Sequence, residues 1–376
     1  MSEHQVYEFL AIDRPLTDAQ MRELRAISTR ADISSTRFWN EYEWGNLKAD
    51  PLQLMVDYFD LHVYFANWGA HRICLRVPAA RLNLADLEPY FVAHSPAMKK
   101  AGAFVVFDFH DLLEGPEDDG EGASSGAFTA LRTELMQGDL RLPYLAWLMA
   151  VQQGELADDE EEPPVPPGLS SLTACQQAFV EFLHLDVDLI AVAAEASQAE
   201  RFDDKGFRAW VKGLSVGAKT AWLLRPLDDP GLLLGAELRR AFLLEAKDKA
   251  AQAGETVPAR RTVAELRAGV TGQCEAREKA EREAEERRQK KVAADRKLVL
   301  DELAKREPAA WTELETMIEE SRYDAAVKLA LDLRDLAARE KHQGSFIGKL
   351  EALRKRQSRK RGFFDRWKRA TEPRSW

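Results

Sequence analysis

At 376 residues, with 45% hydrophobic and 31% charged side chains, the chain is long enough for two or three domains and a sizeable core. Its net charge of −10 argues against a protein that coats nucleic acid over its whole surface, and Cys74, Cys175 and Cys274 are too scattered for a disulfide framework or a zinc set. No run approaches the ~18 to 20 apolar residues of a spanning helix, and MSEHQVYEFLAIDRP lacks the basic-then-apolar order of a signal sequence, so a cytoplasmic protein with no membrane partner is expected.

Val6 to Ile12 has the β-branched and aromatic content of a strand. Thr17 with Gln20 reads as a capping box ahead of Met21, Leu24 and Ile27 at helical spacing. Thr36 to Tyr42 is a second strand, and Asp50-Pro51 opens a helix whose apolar face is Leu52, Met55, Val56 and Phe59. Beyond Asn67-Trp68-Gly69, Arg72 to Val77 is a third strand. Asn83 starts a short helix, and Ala103 to Phe109 is a fourth strand. The alternation predicts a small α/β domain over residues 1–115 with helices covering a sheet.

Glu114 to Gly126 is a Gly-rich acidic loop, and residues 116–154 form this loop with a helical extension through Leu131, Leu135 and Leu142 to Val151. A second acidic tract runs into PPVPP, so residues 155–170 read as a linker or an extended strap and as the main internal boundary. A helical domain follows over 171–272, with stripes at Phe179, Phe182 and Leu183, at Phe207, Trp210, Val211 and Leu214, and at Trp222, Leu223 and Leu224; Asp229-Pro230-Gly231 is a turn. Residues 273–307 form a charged helix. Between Glu275 and Glu307 ten acids meet eleven bases, with Glu-first i,i+4 pairs such as Glu283–Arg287. Large apolar residues appear there only from Val292, so a solvated rod is favoured over a coiled-coil dimer. Residues 308–376 read as a helical hairpin, then one last helix from Phe346 to Arg369 with ten bases against Glu351 and Asp365. The fold class expected is α+β: a small N-terminal α/β domain, then a mainly α-helical body with a long charged helix.

The chemical motifs are incomplete. Gly213 to Thr220 approaches the phosphate loop G-x-x-x-x-G-K-T, yet Ala218 stands where glycine must let backbone N–H groups curl round phosphate, and no strand precedes it. A helix turn carrying Lys219 is the better reading. Gly122 to Gly126 matches G-x-S-x-G only as composition in an acidic loop. Asp108 and His110 share one face of the fourth strand, next to Asp111, and with His62 or His71 are candidates for a metal or an acid–base pair. A structural histidine beside a carboxylate is favoured, because no cysteine ligand or i,i+4 histidine pair completes a set. No catalytic residue, metal or cofactor is assigned.

What remains is recognition. The aromatic-rich stretch from Thr36 to Arg72 offers Arg37, Trp39, Glu41, Trp44, His62 and Trp68 as a partner-binding surface. The basic C-terminal helix offers Lys355, Arg356, Arg359, Lys360, Arg361 and Lys368 to nucleic acid, with Phe363, Phe364 and Trp367 for stacking. Alternatively its aromatics anchor it to the helical body, and its bases meet the acidic tracts at 114–121 and 155–162. The expected function is a non-enzymatic adaptor or scaffold for protein partners. The alternatives are a nucleic-acid-associated factor and a hydrolase-like enzyme joining Arg37, Glu41, His62 and Asp108.

YEFLAIDRPLT, FWNEYEWGNLKADP and YFDLHVYFANWG resemble a family of bacterial proteins without an established function. YDAAVKLALDLRDLA with LRKRQSRKR is similar to the helical tails of bacterial SWIM zinc-finger proteins and to a tetratricopeptide-type hairpin. The C-x-C…C-x-H ligands of the SWIM proteins are absent, so the resemblance carries neither metal nor DNA binding.

Overall fold

The structure is a computed structural model that describes residues 4–111, 125–198, 203–228, 232–252 and 260–371. The acidic loop at 114–121, residues 122–124 of the G-x-S-x-G match and the turn at Asp229 lie outside these residues; Ser125 and Gly126 open a short 3-10 turn. The chain divides into two compact units, Met1–Arg277 and Glu278–Trp376. The fold is α+β, as its sequence predicts: one antiparallel sheet followed by a mainly helical body.

The first unit is built on strands β1 (Gln5–Leu10), β2 (Asp32–Ile33), β3 (Arg37–Tyr42), β4 (Leu61–Ala66), β5 (His71–Pro78), β6 (Ala97–Ala101) and β7 (Phe104–His110). They pair in the order β2-β3-β1-β4-β5-β7-β6, every pair antiparallel. Four strands match the expected ones; β2, β4 and β6 are additional. A hairpin joins β4 to β5, closed by the Gly69 N–H on the Ala66 carbonyl, with Gly69 at φ 91°, where a side chain would be strained.

Helix α1 (Asp18–Ile27) starts at the expected capping box, with Thr17 and Gln20 satisfying each other's backbone N–H. Helix α2 (Pro51–Asp57) starts at Asp50, whose carboxylate accepts from the Leu52 N–H at 3.0 Å. The two helices cover one sheet face and bury Leu24, Leu54, Met55 and Phe59 against Tyr7, Phe9 and Phe38. After the short α3 (Leu84–Leu87), helices α4 (Thr129–Met136), α5 (Arg141–Gln152), α6 (Ala174–Phe182) and α7 (Val187–Ala194) cover the other face. Residues Arg141 to Val151 of α5 are all buried, so its unbroken apolar run is the centre of this layer rather than an amphipathic surface helix.

Residues 155–170 are a strap within the first unit and not a boundary. Glu162 is buried, accepts from the Tyr144 hydroxyl, and takes a two-pronged bond from Arg261 at 2.8 Å on each oxygen. Tyr90 donates to the Pro164 carbonyl at 2.6 Å, and Glu161 bridges to Thr262. The acids that suggest solvent are fixed because arginines arrive from a distant part of the chain. One apolar core accordingly runs from Leu61 on β4 to Val263 and Leu266.

Three further helices of this unit, α8 (Asp204–Gly213), α9 (Val216–Asp228) and α10 (Leu234–Gln252), have a different character. The predicted stripe of Phe207 and Trp210 packs on Phe242, but no residue of α8 or α9 is buried. Helix α11 (Val263–Lys305) is exposed over its charged middle in the single chain.

The second unit is built from helical hairpins. The end of α11, α12 (Glu307–Glu319), α13 (Tyr323–Arg339), α14 (Gln343–Arg356) and α15 (Arg361–Thr371) bury Leu303, Leu314, Ile318, Leu333, Leu353 and Phe363 together. The single last helix read from the sequence is two helices, because the chain turns at Gln357 to Lys360 to bring Phe363 under α13. Among the described residues no helix is long and apolar enough to cross a membrane.

Candidate functional site

Antiparallel register places the polar residues of the N-terminal domain. Phe38, Phe9, His62, Cys74 and Asp108 are successive partners across β3, β1, β4, β5 and β7. One step along, Asn40, Tyr7, Tyr64, Arg72 and His110 form a second row on the same face. The rows run beneath α2 and end at a cleft of about 330 Å³ lined by Tyr7, Tyr64, Arg72, His110 and Asp111.

The polar side chains of the two rows are largely hydrogen-bonded. Arg72 forks onto Asp108 with Nε and Nη2 both at 2.7 Å, and the Cys74 thiol donates to the same carboxylate at 3.3 Å. His62 Nδ1 lies 2.9 Å from the Glu8 carbonyl; a carbonyl only accepts, so Nδ1 carries the proton and Nε2 is a lone pair. Nε2 is buried and has no hydrogen-bond partner among the described residues, and the ring stacks on Phe9 at 3.9 Å. The Tyr7 and Tyr64 hydroxyls both donate to Gln5 Oε1 at 3.0 Å, and Gln5 Nε2 donates to Asn46 Oδ1.

The row holds Cys, His and Asp, the residue types of a thiol-based centre, but their protonation opposes that chemistry. Burial pushes the Cys74 thiol well up and pushes His62 down to about 3. A nucleophilic cysteine needs the reverse, a thiolate beside an imidazolium. Burial alone would raise Asp108, but the imidazole of His110 at 3.7 Å and the two-pronged bond from Arg72 outweigh burial and hold it well below the usual carboxylate range. The arrangement is a neutral thiol and a neutral imidazole beside a locked ion pair. Among the described residues no three His, Cys, Asp or Glu side chains converge as metal ligands do.

The proposed hydrolase set does not converge. Arg37 and Glu41 alternate with Phe38 and Asn40 along β3, so they project to the sheet face opposite His62 and Asp108. There Arg37 pairs with Glu8 at 2.6 Å and lies over the Trp39 ring, and Glu41 meets His4 at 2.7 Å. Of the six residues assigned to partner binding, His62 is buried and has no surface to offer. Arg37, Trp39 and Glu41 form one half-exposed patch, Trp68 is half-buried in the β4–β5 hairpin, and Trp44 is 71% exposed with Arg30 over its ring. Lys219 lies on α9, donates to the Lys212 carbonyl at 2.8 Å, and follows a helix rather than a strand. Arg72 and Cys74 join Asp108 through the β5–β7 register, which no local pattern specifies, and His62 and Tyr64 join them only once Leu61–Ala66 is a strand.

The basic residues of the second unit divide. Arg356 bonds Glu315 at 2.9 and 3.3 Å, and Lys360 donates to the Glu319 carbonyl at 2.8 Å. Lys355, Arg359, Arg361 and Lys368 are exposed. Phe363 is buried, and Phe364 and Trp367 pack against the same core, so these rings anchor the helices rather than stack on bases. The inward-facing bases meet acids of α12 and α13. Within the first unit, Asp158 and Glu162 of the tract at 155–162 bind Arg267 and Arg261.

Comparison with family models, with curated proteins and with solved structures finds no match. The fold defines the class: an α+β chain with a seven-stranded antiparallel sheet and a helical body.

Proposed function

We propose that this protein is a non-enzymatic adaptor that holds a protein partner against helices α8–α10. The observation that carries the reading is the exposure of large aliphatic side chains there: Val216 81%, Leu223 68%, Leu227 75% and Leu243 55%, on helices of which two bury nothing. Apolar surface gathered on one substructure, while the neighbouring core is closely packed, is characteristic of a protein-interaction face. The chemistry of the N-terminal domain supports the same reading, since its Cys, His and Asp are held in unreactive states.

The test compares the whole chain with Leu223→Glu/Leu227→Glu/Leu243→Glu, three exposed changes that leave the core intact. The wild-type chain is expected to capture a defined protein from cell extract and to re-form a fixed-ratio complex with that protein once purified, and the variant to lose both. Equal capture by the two chains, or no protein held in fixed ratio, refutes the adaptor reading. Self-association abolished by the triple change would replace it with assembly of the chain on itself.

A further inference from the structure

Between Lys349 and Arg369 the second unit carries ten bases, and the structure separates them by use. Lys349 pairs with Glu307 at 2.7 Å, Arg356 with Glu315, Lys360 with the end of α12, and Arg366 lies 3.5 Å from Asp324. These four hold α14 and α15 to α12 and α13. Lys355, Arg359 and Arg361 are exposed and make no ion pair among the described residues, and Arg354 lies over the Phe364 ring at 5.8 Å. At the α14–α15 corner, Arg354, Lys355, Ser358 and Arg361 line an open groove of about 670 Å³, with Glu351 and Asp365 as its acids.

The charge of the whole chain hides this surface. Glu278–Trp376 holds 26 basic and 20 acidic residues, a balance of +6, whereas Met1–Arg277 holds 27 and 43, a balance of −16. A polyanion is the matching occupant, and the surroundings of the groove select which one. A lipid surface needs an apolar face to insert, and the rings of α15 are turned into the core. A protein interface needs a central apolar anchor; Phe364 is half-buried and covered by Arg354. Single-stranded nucleic acid needs rings free for stacking; Phe363 is buried, Phe364 and Trp367 are half-buried against the same core, and Arg354 lies over Phe364 at the groove wall. What the corner supplies is exposed cations, with its one ring, Phe364, half-buried under Arg354, which suits the phosphates of a duplex rather than its bases.

We propose that the α14–α15 corner binds the phosphate backbone of duplex nucleic acid, independently of base sequence, through Lys355, Arg359 and Arg361 with Arg354 beside them. The site lies on different helices from the adaptor surface, and either proposal stands or falls without the other.

The experiment titrates salt against binding of the whole chain to two duplex DNAs of unrelated sequence, using fluorescence anisotropy, for wild type and for Lys355→Gln/Arg359→Gln/Arg361→Gln. The three changed residues are exposed, and circular dichroism confirms that the variant is folded. Wild type is expected to bind both duplexes equally, with affinity falling steeply as salt rises. The variant is expected to bind at least roughly tenfold more weakly at low salt, with a log–log slope shallower by about 2.7, the loss of three phosphate contacts. No binding at about 50 mM salt, the range in which phosphate contacts dominate, overturns the proposal. So does an unchanged slope in the variant, a preference for one sequence, or binding confined to single strands or to polyglutamate.

Discussion

The two faces of the seven-stranded sheet are held by different physics. The face under α4–α7 is closed by aliphatic and aromatic side chains around α5. The face under α1 and α2 has an apolar end at Phe9 and Phe38 and a polar end where His62, Cys74, Arg72 and Asp108 are interlocked. The first face draws most of its stability from apolar area and close packing, with the buried Tyr144–Glu162–Arg261 clasp as a polar exception. The second holds ionisable groups in chosen protonation states, so its contribution depends on the solution. Cys74, His62 and Asp108 are thus buried together in one hydrogen-bonded interior.

The largest expected effect is on the apolar face. Trp147→Ala on α5 removes a side chain that is 1% exposed and leaves a cavity, and a loss of about 3–5 kcal/mol is expected in urea unfolding of the first unit. A loss near 1 kcal/mol would mean that the layer is loosely packed, and the contrast between faces would fail.

The next effect belongs to the polar face and depends on pH. Folded His62, buried, stays neutral down to about 3, whereas an unfolded histidine takes up a proton near 6.5. The stabilising term is therefore complete above about pH 6.5 and falls by about 1.4 kcal/mol per pH unit as pH drops towards 3. Between pH 7 and pH 5 the wild type should lose about 2 kcal/mol from this group, and His62→Phe should lack that loss. Asp108, with its lowered pKa, adds a loss only below about pH 4 and leaves this window clear. Parallel stability–pH curves for the two chains would assign the acid sensitivity elsewhere.

Smallest is the change at the entry to α1. Thr17→Ala deletes a reciprocal cap on an exposed turn, and about 1 kcal/mol should be lost at every pH. Any pH dependence of that loss would mean that α1 and the His62 row are coupled.

The helix starts at Thr17 and Asp50 and the strands at β1, β3, β5 and β7 were readable because capping and alternation are local signals. β4, in contrast, is buried on both faces except at Tyr64, so LHVYFA shows no alternation to read. β6, AMKKA, is an edge strand with exposed Lys99 and Lys100 and resembles a loop. The polar rows have no local signal either, since they need β4 for His62 and Tyr64 and the long-range register of β5 on β7 for Cys74 and Asp108. The division of the C-terminal bases was hidden too, because the partners of Lys349, Arg356 and Lys360 lie about forty residues away, on α12 and just beyond it.

The buried carboxylate of Glu162 has a practical consequence for anyone who would dissect the chain. Its neighbours, a run of acids followed by prolines, advertise a natural place to cut. Yet a fragment ending there would part from Arg261, Val263 and Leu266, and its complement would keep the rivet without the plate. Neither piece holds a finished interior, so both would be expected to clump or be degraded, and a productive division belongs more than a hundred residues downstream, beside Arg277.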